Sequence, residues 1–316
     1  MTAQELGSLA HAGVAFVFPG GGSQYVGMAR DAYERFPAAR RIFEQADATL
    51  GFALSNLCFE GPEEALTDTL SAQPATITTS AALLACLREQ ARSLVPSFVA
   101  GHSTGEYTAL LAAGALGFPV VLSLVRERAR LMNEAGQRQP GSMAAVLGMD
   151  FAALKEICDE VGDVWIANDN APGQIVLSGR ESALAIALNL ARERGARRTI
   201  PIAVSVASHC PLMAPAAHAL AAVVEELPLQ RAAIPIVANV SALPLVEPAD
   251  VRRELAQHLT SPVRWVESVR YMAAHGVHTF VEIGPKNVVS GLIKRIDSSV
   301  QVISIGSAAD IEVVTL

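Results

Sequence analysis

Short, wholly apolar runs that stop at glycine or proline alternate along the chain with longer stretches whose apolar positions recur at helical spacing. Val14-Ala-Phe-Val-Phe18 is the first such run; Pro19 and three glycines close it, so it reads as a buried strand entering a tight loop. Helical patterns follow, with Pro37, Gly61-Pro62 and Pro74 as punctuation. Ser97–Ala100 is a second buried run, cut off by Gly101. Beyond it, Glu106–Leu116 has the composition of a buried helix and Val120–Ala135 that of a longer helix with a charged face. Strands alternating with helices predict an α/β fold around a mainly parallel sheet.

The middle of the chain has a different order. Met143–Leu147 reads as a strand, Phe151–Val161 as a helix and Val164–Asn168 as a strand. A Pro172-Gly173 turn leads to the strand Ile175–Ser178, then the helix Glu181–Arg194 and the strand Arg197–Ala203. This βαββαβ order is the ferredoxin-like unit. It predicts a small inserted subdomain over 141–203, with 1–140 and 204–316 forming the large catalytic domain. After Val204 the α/β alternation resumes, with strand-like Ile234–Val237 and Thr279–Ile283.

Composition narrows the picture. Of 316 residues, 51% are hydrophobic and 17% charged, which excludes global disorder and allows a sizeable core. The net charge of −7, with no Lys/Arg run, argues against a nucleic-acid partner and obliges an anionic substrate to find a local basic contact. Charged residues and prolines interrupt the apolar stretches short of a membrane span, and Met1–Gly13 has no basic region before an apolar run, so neither membrane nor export is expected. Cys58, Cys86, Cys158 and Cys210 lack metal-ligand spacing and read as reduced, buried residues, which suits the cytoplasm.

The sharpest chemical signal is Gly101-His102-Ser103-Thr104-Gly105. Ser103 follows a predicted strand and precedes a predicted helix, with glycine two positions away on either side. Such a turn exposes the hydroxyl and aims the positive end of the helix at a developing acyl oxyanion. A serine nucleophile needs a base. His11 lies in the N-terminal tail and His102 is fixed beside the nucleophile. His209, between a strand-like stretch and a new helix, has the better position, while His218, His258, His275 and His278 stay open.

With these residues in place, the chain resembles the malonyl-CoA:acyl carrier protein transacylases of fatty acid synthesis and the acyltransferases of polyketide synthases. The motifs are Phe18-Pro-Gly-Gly-Gly-Ser-Gln24, Gly101-His-Ser-Thr-Gly-Glu106 and Arg128-Ala-Arg-Leu-Met132, then Asn168-Asp-Asn170, Pro172-Gly-Gln174, Ser208-His-Cys210 and Glu282-Ile-Gly-Pro285. The resemblance implies an α/β-hydrolase-like large domain carrying the small subdomain. It also implies ping-pong transfer of malonyl from malonyl-CoA to the phosphopantetheine thiol of a holo acyl carrier protein through an acyl-serine. Ser103 is then the nucleophile and His209 the base. Gly21 and Thr104 supply oxyanion N–H groups, and His258 supplies a backbone carbonyl to the second nitrogen of His209. Arg128 receives the free malonyl carboxylate, with Ser208, Asn170 and His102 about the acyl pocket. No cofactor or metal is implied, coenzyme A being part of the substrate.

Two positions depart from the commonest pattern. The first loop has Gly21 where the family usually has glutamine, and Ser208 stands where malonyl-specific polyketide domains generally have phenylalanine. Ser208 leaves room for an α-substituent and so leaves open a trans-acting polyketide acyltransferase that takes a unit such as methylmalonyl-CoA, while Val206 matches neither polyketide pattern. Three further readings are a serine thioesterase or esterase of the α/β-hydrolase type, a nucleotide-binding module on the early glycine loop, and a catalytically dead docking domain. For the first, neither a triad acid between nucleophile and histidine nor an HGGG-type oxyanion loop is evident; the second lacks P-loop or G-x-G-x-x-G spacing, and the third is at odds with the presence of Ser103, His209 and Arg128.

Overall fold

The computed structural model describes residues 13–202, 204 and 206–315, which leaves His11 and Ala203 outside the described residues. β1 (Val14–Phe18) is buried at every position, as a strand covered on both faces must be. Five helices follow: α1 (Arg30–Arg35), α2 (Pro37–Leu50), α3 (Leu54–Glu60), α4 (Glu63–Thr67) and α5 (Thr69–Gln90). β2 (Phe98–Gly101), α6 (Gly105–Ala112) and α7 (Phe118–Arg138) complete the first half.

The next segment builds the second sheet: β3 (Ser142–Leu147), α8 (Phe151–Val161), β4 (Val164–Ala171), β5 (Gln174–Gly179), α9 (Glu181–Glu193) and β6 (Arg198–Ile202). A 3₁₀ turn, Pro211–Met213, leads back through α10 (Ala214–Glu225), β7 (Ile236–Val237) and β8 (Pro244–Leu245). The chain ends with α11 (Pro248–Gln257), α12 (Trp265–Ala274), β9 (Thr279–Ile283), α13 (Val288–Ile296), β10 (Gln301–Ile305) and α14 (Ala308–Thr315).

The large sheet has the order β10-β9-β1-β2-β7-β8 and is parallel except for the β7–β8 pair. One apolar cluster, including Phe16, Phe43 and Leu83, fills the side facing α2, α5 and α7. A second, around Trp265, Phe280 and Val289, fills the other. Each fully buried Phe or Leu contributes about 1.5–3 kcal/mol to this packing. The small sheet has the order β4-β5-β3-β6 and is antiparallel throughout, with α8 and α9 on one face, the ferredoxin-like arrangement.

Two features of the fold position the site. Register shifts in β4, between Ile166 and Asn168 and between Asp169 and Ala171, twist its last turn of strand toward the large domain. There Val263 N–H donates to Ala167 O at 2.8 Å and Asp169 N–H to Val263 O at 2.9 Å, tying β4 to the chain just ahead of α12. Pro74, by contrast, does not punctuate: it lies inside α5. The carbonyl its missing N–H would have served belongs to Leu70, which is 42% exposed, so the ring sits near the helix start where the loss is cheapest. The resulting 22-residue helix is long and apolar enough to cross a bilayer, yet it is packed into the protein's own core.

Candidate active site

The strand-to-helix turn between β2 and α6 is sterically enforced. A β-carbon on Gly101 would lie 1.9 Å from the Gly105 carbonyl carbon, and one on Gly105 2.3 Å from the Phe18 oxygen, so both positions need glycine. Ser103 between them sits at φ 51°, left-handed for a residue with a side chain, a conformation that costs about 1–3 kcal/mol. Asn239 offsets that strain. Its Oδ1 accepts the Ser103 N–H at 2.7 Å, its Nδ2 donates to Gly101 O at 2.7 Å, and its own N–H donates to Glu106 Oε1 at 3.3 Å.

His209 reaches the same point from the loop after β6, also left-handed at φ 58° and only 2% exposed. Its Nε2 lies 2.7 Å from Ser103 Oγ. On the other side, Nδ1 lies 3.0 Å from the His258 carbonyl oxygen and 3.2 Å from that of Ser261. Two carbonyls can only accept, so Nδ1 carries the proton and Nε2 presents its lone pair to the hydroxyl. Burial, reinforced by His258 and Arg128, holds His209 well below the ordinary imidazole value. The ring is thus a neutral base that needs no carboxylate behind it.

Arg128 sits on α7 and is 1% exposed. One Nη donates to Gln73 Oε1 and lies 3.4 Å from Thr104 Oγ1, and the guanidinium is 5.6 Å from the Tyr107 ring centre. Its Nε has no partner among the described residues. The neighbouring arginines are engaged elsewhere: Arg126 bonds Leu50 O at 2.6 Å, and Arg130 pairs on the surface with Glu127 and Glu134. Only Arg128 of the three offers a buried, partly unsatisfied fork to an anion.

A cavity of about 520 Å³, ample for a small acyl group and the end of its carrier arm, gathers these parts. Gly21, His102, Ser103, Thr104, Arg128, Asn170, Ser208 and His209 all line it, with Val206 beside them. The His258 side chain stands outside this wall; its carbonyl alone enters the site. His102 does not compete as base, since its Nε2 donates to Asn170 Oδ1 at 2.6 Å and its ring packs edge-on against Trp265. His275 and His278 are occupied locally by Tyr271 O and Thr279 Oγ1, and His218 is exposed.

Gln73, Asn239 and Ser261 were not among the sequence-derived candidates, and Glu106 entered only as the end of the Gly101–Glu106 motif, without a role. Gln73 is followed by Pro74, which drew attention to the helix break rather than to the side chain. Asn239 and Ser261 stand in loops with no local signal.

Beneath the nucleophile lies a second polar layer. Glu106 Oε2 is 3.1 Å from His258 Nε2, both side chains being almost fully buried, and Glu254 Oε1 accepts the Val240 N–H at 2.7 Å. Burial pushes Glu106 up to about 8 against the lowering effect of the Asn239 N–H and Arg128. Glu254 is pushed up to about 8 by burial and then by Glu106. The folded protein therefore keeps these protons while the unfolded chain releases them above the ordinary 4.5, and stability falls as pH climbs from that value through about 8. Glu254→Gln keeps an acceptor for Val240. Its Tm should fall less than that of the wild type between about pH 6 and pH 9; parallel slopes in thermal melts followed by circular dichroism would refute the assignment.

Comparison with known proteins follows the same line. Residues 15–315 match the acyl transferase domain family. A malonyl CoA-acyl carrier protein transacylase from Bacillus subtilis (strain 168) is 47% identical over 303 residues, 95% of this chain and 95% of that one. The structure of the malonyl CoA-acyl carrier protein transacylase from Coxiella burnetii superposes with a TM-score of 0.93 at 38% identity, covering 96% of both chains. A malonyl-transacylase in complex with its holo type II polyketide acyl carrier protein gives a TM-score of 0.91 at 38% identity, over 96% of this chain and 99% of that one.

Proposed function

The chain belongs to the acyl transferase domain family, and from that premise we propose that it moves a malonyl group from malonyl-CoA to the phosphopantetheine thiol of a holo acyl carrier protein. The observation that carries this reading is the 2.7 Å Ser103–His209 contact in one cavity with Arg128.

Ser103 Oγ attacks the thioester carbonyl carbon while His209 Nε2 takes its proton. The oxyanion that forms is met by the N–H groups of Gly21 and Thr104, neither of which donates to another acceptor among the described residues. Donors of this kind are worth about 3 kcal/mol each. Collapse breaks the C–S bond, His209 returns the proton to the departing sulfur, and the malonyl group is left as an ester on Ser103. In the second half-reaction His209 takes the proton of the carrier thiol, whose sulfur attacks the ester carbon; the bond to Ser103 Oγ breaks and His209 returns the proton to that oxygen, regenerating the serine.

Arg128 receives the free carboxylate through its fork, orienting the acyl group before attack. The His258 and Ser261 carbonyls keep the base in the tautomer this cycle needs, the role that a carboxylate fills in Ser-His-acid hydrolases. The acyl group arrives activated as a thioester, so the reaction requires no cofactor or metal. We place it in the cytoplasm; the four described cysteines are free and buried.

Intact-mass measurement after exposure to mixed malonyl- and methylmalonyl-CoA tests the reading. The expected product is a malonyl adduct on Ser103 that disappears on addition of holo carrier protein, with the carrier gaining the same mass. Val206, 3% exposed, and Ser208 form the wall that decides between the two units, a discrimination of about 1–3 kcal/mol for one methyl group. Release of free malonate without carrier loading would leave a hydrolase, and a dominant methylmalonyl adduct would replace the acyl unit.

A further inference from the structure

The loop that carries Gly21 has an unusual support, whose meaning rests on the acyl-transfer reading. Its three glycines are not equivalent. A β-carbon on Gly20 would lie 2.3 Å from the His102 carbonyl oxygen, and Gly22 sits at φ 89°, so both positions need glycine. Gly21 has neither restriction: it is absent from the positive-φ positions, and a β-carbon there would meet nothing within 4 Å. The residue whose N–H must meet the oxyanion is thus the one with freedom to spare.

Two side chains grip the loop from outside. Gln24 Oε1 accepts the Gly22 N–H at 3.0 Å. Lys286 Nζ, from 264 residues further along the chain, donates to the Gly22 carbonyl at 3.2 Å. Lys286 extends from the turn between β9 and α13, where it is held at φ 61°, left-handed for a side-chain-bearing residue. That turn is anchored: the buried Glu282 carboxylate accepts the Val289 and Ser290 N–H groups of α13 at 3.0 and 2.6 Å.

We infer that Lys286 is a positioning residue for the oxyanion hole: by holding the Gly22 carbonyl, part of the Gly22–Ser23 peptide, it restrains the glycine loop two peptide units beyond the one that presents the Gly21 N–H to the thioester oxygen. It does from across the cavity mouth what a side chain on Gly21 would otherwise do by narrowing the backbone. The competing role for a lysine that lines this cavity is contact with phosphate groups of the thioester's carrier arm.

Steady-state kinetics with malonyl-CoA and with malonyl-N-acetylcysteamine, which has no phosphate, separates the two. Lys286→Met keeps the aliphatic stem and removes the donor. The expected result is a fall in kcat of about 3- to 10-fold for both thioesters with little change in KM, because the bond acts through the transition state. In a Gly21→Ala background, where the loop has less freedom to lose, the same substitution should cost less than about twofold. A loss confined to malonyl-CoA overturns the inference in favour of phosphate contact. No loss, or an undiminished loss in the Gly21→Ala background, also overturns it. Wild-type protein inert towards both thioesters would overturn the acyl-transfer reading, and this inference with it.

Discussion

Ser103→Ala abolishes the acyl-enzyme and lowers malonyl transfer by at least about 10³-fold, as read by intact mass after malonyl-CoA and by carrier loading. The size of the effect follows from how little else the substitution disturbs. Alanine takes the same left-handed backbone at similar strain, and the grip of Asn239 on the turn uses the residue's N–H rather than its side chain. His209 keeps both carbonyl partners. Only the nucleophile is removed, so the melting temperature should stay close to that of the wild type. A labelled acyl-enzyme on the Ser103→Ala protein would place the nucleophile elsewhere and sink the mechanism.

Arg128→Ala should have the second largest effect, of a different kind. The guanidinium is buried, held on one side by Gln73 and near Thr104, and leaves Nε unsatisfied. It belongs to none of the described ion pairs, and its acidic neighbour Glu106 is held largely protonated near neutrality by burial. An incoming carboxylate thus meets a desolvated cation with no bound competitor. Losing one partner of such a pair costs about 3–5 kcal/mol. The ratio of kcat/KM for malonyl-CoA to that for acetyl-CoA should therefore fall by about 2 × 10²- to 5 × 10³-fold. Arg128→Lys should recover only part of it, because an ammonium cannot reproduce the two parallel bonds of the fork. An unchanged ratio in Arg128→Ala would remove the carboxylate clamp from the reading.

What the sequence disclosed and what it withheld divide along a physical line. Strands with local signatures were legible: Val14–Phe18 and Thr279–Ile283 coincide with β1 and β9, and Phe151–Val161 with α8. Each is a complete apolar or amphipathic pattern bounded by breakers. β10 was not read, because Gln301–Ile305 is only partly buried at the sheet edge and its pattern is mixed. The helix through Pro74 was misjudged because the sequence shows the missing donor but not the core packing that outweighs it.

At the site, Ser103 was legible from its turn. Arg128 and the carbonyl of His258 came with the family resemblance, and the geometry brings both to the cavity region. Gln73 and Asn239 act on partners 55 and 136 residues away, through contacts that exist only after folding. No periodicity or spacing could have announced them.

The left-handed backbone at both ends of the Ser103–His209 contact has an evolutionary consequence. At position 103 glycine would relieve the strain and forfeit only a hydroxyl, so local stability and turnover pull in opposite directions at that residue. A descendant relieved of the need to transfer acyl groups would be free to drift to glycine there and become harder to melt. Heat resistance gained at residue 103 would then be a fossil of abandoned chemistry, legible in the melting curve of a silent relative before any substrate was tried.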